Sequence, residues 1–108
     1  MQVNGYHARY LEIQLVSTAP FITATSHLIP ESVLRKYLGG SGLGAWILLR
    51  HDAPTMEPHA GPLAFVFSPL VGSPLTTSAK FAVVARSPLT GLLNDAISSS
   101  HFALALRV

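Results

Sequence analysis

One phrase, written three times within residues 61–91, limits what this chain can fold into more than any other feature. Ser68-Pro69-Leu70-Val71-Gly72, Ser73-Pro74-Leu75-Thr76-Thr77 and Ser87-Pro88-Leu89-Thr90-Gly91 each place a proline directly after a serine. Proline pins φ at the second position of a turn, so each phrase predicts a turn through its chemistry rather than its polarity. Between the turns lie two apolar runs, residues 63–67 (LAFVF) and 81–85 (FAVVA), of strand length and rich in Val and Phe. The unit reads strand, double turn, strand, turn. No charged residue occurs from Pro58 to Ala79, and then Lys80 stands at the mouth of the second strand. A lone cation beside Gly-, Thr- and Ser-rich backbone reads either as an anion site or as a solvated lysine at a strand's start.

Residues 9–16 (RYLEIQLV) alternate in part, Tyr10, Glu12 and Gln14 against Leu11, Ile13 and Leu15, which is the period of a half-buried strand. Turn residues at 17–20 follow, and residues 21–28 (FITATSHL) read as a second, β-branched strand, so a hairpin is expected. At Pro30 the period changes. Proline suits a helix's first position, Glu31 lies near its positive end, and Val33, Leu34, Tyr37 and Leu38 share a face, predicting a helix that stops at Gly39. Residues 45–50 (AWILLR) predict another. The glycine run between them is spaced G-x-G-x-G after a helix. A dinucleotide loop needs G-x-G-x-x-G after a strand, so the run reads as a sharp link between helices, with the second helix's first N–H groups free to face an anion. Residues 51–62 form a proline-punctuated loop. Residues 101–108 (HFALALRV) are strand-like or helical and end without a cap, Gly or Pro, so the domain, spanning 1–108, is expected to be incomplete at its C-terminus. The fold class is α+β: β-rich antiparallel sheets with a short two-helix segment.

A chain of 108 residues builds one domain, yet only 11% of its residues are charged. Independent domains carry about a quarter, so further chain, a partner subunit or a large ligand is expected to cover much of the surface. A net charge of +2 and scattered Lys and Arg argue against nucleic acid. The absence of cysteine excludes disulfides, thiolate catalysis and any iron–sulfur cluster held by this segment alone. The N-terminus has no apolar signal core and no apolar run reaches the roughly 20 residues of a membrane span, so a cytoplasmic protein without membrane contact is expected. His7, His27, His51, His59 and His101 never pair at helical spacing, which argues against a histidine metal site. Asp95, Ser99 or Ser100 and His101 supply the residue types of a hydrolytic triad, but no nucleophile elbow accompanies them. Glu12, Glu31, Asp52, Glu57 and Asp95 are too dispersed for paired-carboxylate chemistry.

Several blocks together resemble one family. Tyr37-Leu38-Gly39-Gly40-Ser41-Gly42-Leu43-Gly44, Ser68-Pro69-Leu70-Val71-Gly72-Ser73, Ser78-Ala79-Lys80-Phe81-Ala82-Val83-Val84 and Arg86-Ser87-Pro88-Leu89-Thr90-Gly91 are similar, in order and interval, to the N-terminal domain of the aldehyde ferredoxin oxidoreductases. The opening Gly5-Tyr6-His7-Ala8-Arg9 fits the family's start, so the likeness spans essentially the whole chain. The resemblance implies a tungsten or molybdenum enzyme in which two pterin dithiolenes (tungstopterin, or bis-molybdopterin) hold the metal and Mg2+ bridges the pterin phosphates. A 4Fe-4S cluster bound by other parts of the enzyme passes electrons to ferredoxin as aldehydes become carboxylic acids. The partners so implied are the remaining domains or subunits, ferredoxin, and a second copy in a homodimer. The N-terminal domain of such enzymes is a β-rich base for the cofactor, which agrees with the missing cysteines and the low charge.

Carried over by position, the cofactor-binding residues implied are Ser78, Ala79, Lys80, Ser98, Ser99 and Ser100, with the Ile97 backbone carbonyl toward Mg2+ and no catalytic residue in this segment. Lys80 stands where the family usually has Arg; it keeps the charge and loses the planar fork of donors. Ile97 stands where an Asn is usual, Ser99 and Ser100 replace a Gly-Gly pair, and Ser41 replaces a common Arg. The leading reading is a cofactor-facing piece of an aldehyde oxidoreductase, inactive alone. The other reading is a non-catalytic binding or interaction module that keeps the fold.

Overall fold

Alternation of apolar and polar side chains makes the first two strands. In the computed structural model, which describes residues 7–99 and 101–107, β1 (Arg9–Leu15) and β2 (Ile22–Leu28) form an antiparallel hairpin with Leu15 opposite Ile22 and Arg9 opposite Leu28. The N–H of Val16 donates to the Phe21 carbonyl at 2.9 Å across the turn. The register puts Tyr10, Glu12, Gln14, Thr23, Thr25 and His27 on one face, where Glu12 Oε2 and His27 Nε2 lie 2.6 Å apart and the Tyr10 ring stacks on His27 at 4.9 Å. Leu11, Ile13, Leu15, Ile22 and Leu28 line the other, and all are exposed. Helix α1 (Glu31–Tyr37) follows, with Glu31 accepting from Arg35 at 2.9 Å across one turn. It ends two residues before Gly39, because Leu38 already takes a left-handed φ of 64°.

The hairpin and most of α1 belong to one unit, residues Met1–Lys36, and the rest of the chain to a second, Tyr37–Val108. The second unit is built on a three-stranded antiparallel sheet of order β3-β4-β5, comprising β3 (Ala64–Phe67), β4 (Lys80–Arg86) and β5 (Leu93–Ser99). Its registers pair Phe67 with Phe81, and Lys80 with Ser99. Helix α2 (Gly40–Arg50) covers one face: Leu48, Ala53, Ala82 and Val84 form the core, with Ala64 against it. A β-carbon on Gly44 would lie 2.7 Å from Val84 Cγ2 and 3.3 Å from Val66 Cγ2, so glycine here sets how closely helix and sheet approach. The opposite face carries Phe65, Phe67 and Phe81, closed by Phe102 of α3 (His101–Arg107), whose ring centre is 5.0 Å from that of Phe81.

The repeated phrase folds the same way each time. Ser68 Oγ accepts from the Leu70 N–H at 3.1 Å, Ser73 Oγ from Leu75 at 3.4 Å, and Ser87 Oγ from Leu89 at 3.2 Å. Proline cannot donate, so the serine hydroxyl reaches past it to the leucine amide. The fifth residue of each phrase has positive φ: Gly72 at 82°, Gly91 at 74°, and Thr77 at 61°.

The α+β class with antiparallel sheets stands, and one expectation is corrected. The second helix begins at Gly40 rather than Ala45, because the glycines that read as a link are its first turns. The chain after Gly91 forms a full edge strand, for which LNDAISS has little propensity; pairing with β4 along its whole length makes it. The last apolar run resolves as helix, α3.

Candidate functional site

Lys80 is positioned by the turn ahead of it. Thr77 reverses the chain, the N–H of Lys80 donates to the Ser78 carbonyl at 2.8 Å, and the strand then begins. Ser78 and Ala79 are half-buried in this approach and Lys80 is exposed. The register places Ser99 directly opposite Lys80, Ser98 opposite Phe81, and Ile97 opposite Ala82. Side chains of directly opposite residues share a face, with β-carbons about 5 Å apart. Lys80, Ser99 and Ile97 therefore occupy one face of the sheet's end, with Ile97 67% exposed. Ser98 falls on the other face with Phe81. Ser100 lies outside the described residues.

The site's electrostatics are simple. Lys80 makes no ion pair among the described residues, so its charge faces solvent beside the Ser99 hydroxyl at the open end of the sheet. The double turn and the approach add Thr76, Thr77 and Ser78 nearby in the chain, with Thr77 Oγ1 donating to the Thr76 carbonyl at 2.6 Å. A cation with hydroxyl donors and no opposing carboxylate suits a phosphate or another anionic group. Ser99 sits in regular strand conformation and is not among the residues at positive φ. The backbone freedom of a Gly-Gly pair is therefore not used at position 99.

Two residues that sequence reasoning left without a role tie the second unit together. Ser41 Oγ donates to Asp95 Oδ2 at 2.6 Å, linking the first turn of α2 to β5. A carboxylate thus already stands at that helix N-terminus, where an external anion was one expectation, and it complements the helix dipole. Arg86 donates from Nε to the Gly91 carbonyl at 2.8 Å and from Nη1 to the carbonyls of Pro54 and Met56 at 3.3 and 2.7 Å. Nothing in the spacing signals either arrangement, since 54 residues separate Ser41 from Asp95 and about 30 separate Arg86 from the Pro54 loop. Among the described residues no three of His, Cys, Asp and Glu converge on a metal-sized space, and no helix is long and apolar enough to cross a membrane.

Residues 11–108 match the family model described as aldehyde ferredoxin oxidoreductase, N-terminal domain. The chain is 30% identical over 105 residues to the tungsten-containing aldehyde ferredoxin oxidoreductase of Pyrococcus abyssi, covering 95% of this chain and 17% of that protein. It is similar at 34% over 79 residues to the protein of the same name from Pyrococcus furiosus, covering 71% of this chain and 13% of that one. The Pyrococcus horikoshii protein of that name is again 30% identical over 105 residues. The chain thus spans less than a fifth of the length of the curated relatives it matches. Its ordered blocks, its α+β sheet architecture and the match across residues 11–108 place this chain in the aldehyde ferredoxin oxidoreductase family, as an example of the N-terminal domain.

Proposed function

We propose that this chain forms part of the protein floor beneath a tungsten or molybdenum pterin cofactor in an aldehyde-oxidising enzyme of the cytoplasm, and that it turns over no substrate alone. The observation that carries this reading is the apposition of Lys80 and Ser99, a cation without an ion pair among the described residues and a hydroxyl, on register partners at the end of the sheet. When bound, such a cofactor supplies the two-electron chemistry that converts an aldehyde to a carboxylic acid. Lys80 would hold an anionic edge of the pterin, Ser78 and Ala79 would shape the approach, and Ser99 would donate a hydrogen bond beside the lysine. Ser98, on the opposite face, would contribute through its backbone; Ser100 would continue the rim; and the Ile97 carbonyl would serve Mg2+, a role indifferent to its side chain. The 4Fe-4S cluster, the ferredoxin contact and any homodimer contact would belong to the rest of the enzyme.

The test uses this chain within its full enzyme, or recombined with the remaining domains, with tungsten and molybdenum measured by mass spectrometry and pterin by fluorescence after oxidative release. The expected result is metal and pterin in fixed ratio, reduced about tenfold by Lys80→Ala and retained by Lys80→Arg, the scale of one charge-assisted hydrogen bond. Cofactor content unchanged in Lys80→Ala would remove the lysine from the site. A metal-free, stable product that recruits no cofactor in any combination would favour the non-catalytic module.

A further inference from the structure

We propose that the second unit carries, at the end of β4 remote from Lys80, a binding site for a monocarboxylate with an apolar tail. A half-open cavity of about 380 Å³ lies between α2 and the chain leaving the third Ser-Pro-Leu turn, within the roughly 300–1,000 Å³ usual for small-ligand sites. Its walls include Leu48, Leu49, Leu92 and Leu93, and Arg86 is its one charged lining residue. Leu48 is buried, whereas Leu49, Leu92 and Leu93 are 64%, 70% and 53% exposed. The cavity therefore presents apolar side chains to water, and covering them is favourable in proportion to the area removed.

Arg86 selects the ligand's charge. Its Nε is committed to the carbonyl of Gly91 and its Nη1 to those of Pro54 and Met56, which fix the plane of the guanidinium. Its Nη2 donates to nothing among the described residues, and the guanidinium makes no ion pair among them. A guanidinium already held in place loses little further freedom on taking a ligand, and its remaining N–H groups match a carboxylate oxygen. An amine would be repelled, and an alcohol would forgo the charge-assisted bond. The six residue steps between Lys80 and Arg86 put about 20 Å between this cavity and the proposed cofactor rim. The two readings are independent.

The test is a titration of the 108-residue chain with octanoate, octanol, octylamine and acetate, followed by two-dimensional amide NMR. Octanoate is expected to give saturable shifts confined to residues 45–54 and 86–93. Octanol and acetate are expected to bind about tenfold more weakly or worse, each lacking one half of the recognition, and octylamine not to bind. Leu49→Asp, at a wall position 64% exposed and checked for folding by thermal denaturation, is expected to abolish the octanoate shifts, while Lys80→Ala leaves them unchanged. Arg86→Gln, checked for folding in the same way, is expected to bring octanoate down to the affinity of octanol. No saturable octanoate binding, equal binding of octanol, or undiminished binding by Leu49→Asp would overturn the proposal.

Discussion

At the scale of the residue, the three Ser-Pro-Leu phrases form an internal experiment. Two of them end on glycine at positive φ, and the second places Thr77 there at 61°. A β-branched residue in the left-handed region costs about 1–2 kcal/mol, whereas glycine pays about 0.5–1 kcal/mol in unfolded-state entropy. The first term is larger. Thr77→Gly is therefore expected to stabilise the chain by about 0.5–1 kcal/mol, raising Tm by about 2–8 °C, while Gly72→Ala and Gly91→Ala each lower it by a similar amount. Calorimetry of the three variants decides the matter by sign: a lower Tm for Thr77→Gly would mean the strain is not there. The turns themselves were legible because serine, proline and glycine act over five residues. Lys80 was legible too, as the first charge after a long neutral stretch. Ser99 was reached only through the family resemblance, and its place opposite Lys80 was not legible at all, since only the β4–β5 register makes them partners and register depends on long-range pairing.

Elements were legible where the local pattern is strong, whether or not a face is buried. Strand β1 followed from partial alternation and β2 from its β-branched residues, and β3 and β4 from apolar runs of the right length. Strand β5 was invisible because Asn94, Asp95, Ser98 and Ser99 are poor strand formers, and its conformation comes from its neighbour. The start of α2 was misplaced for the opposite reason: glycine reads locally as a breaker, yet Gly44 is inside the helix because Val84 leaves no room for a side chain. That close approach makes a measurable claim. Gly44→Ala gains about 1 kcal/mol of helix propensity, but its β-carbon meets the stiff, fully buried Val84, and overpacking of this kind costs about 1–3 kcal/mol. A net loss of up to about 2 kcal/mol is expected in urea unfolding. Adding Val84→Ala should cost less than the sum of the single changes, because the alanine vacates the space the new methyl needs. Strict additivity would show that helix and sheet do not meet at this point.

For the whole molecule, the low charge read from the composition becomes a statement about surface. On the hairpin, Leu15 and Leu28 are 80% and 77% exposed, and Leu11, Ile13 and Ile22 lie on the same face. A two-stranded sheet is only marginally stable in water by itself, and contiguous exposed apolar surface of this kind marks contact sites or aggregation hazards. For the isolated chain the consequences can be given a sign. Leu15 and Leu28 contribute little burial, so replacing both with lysine is expected to leave Tm within about 4 °C, since surface substitutions away from structural features stay near ±0.5 kcal/mol. The same change interrupts the apolar face at each end and raises the net charge from +2 to about +4. Binding of a hydrophobic dye should fall, and the concentration at which light scattering begins should rise several-fold. If the double lysine variant instead unfolds at markedly lower temperature, these leucines are buried in the isolated chain, and the hairpin face is closed rather than open.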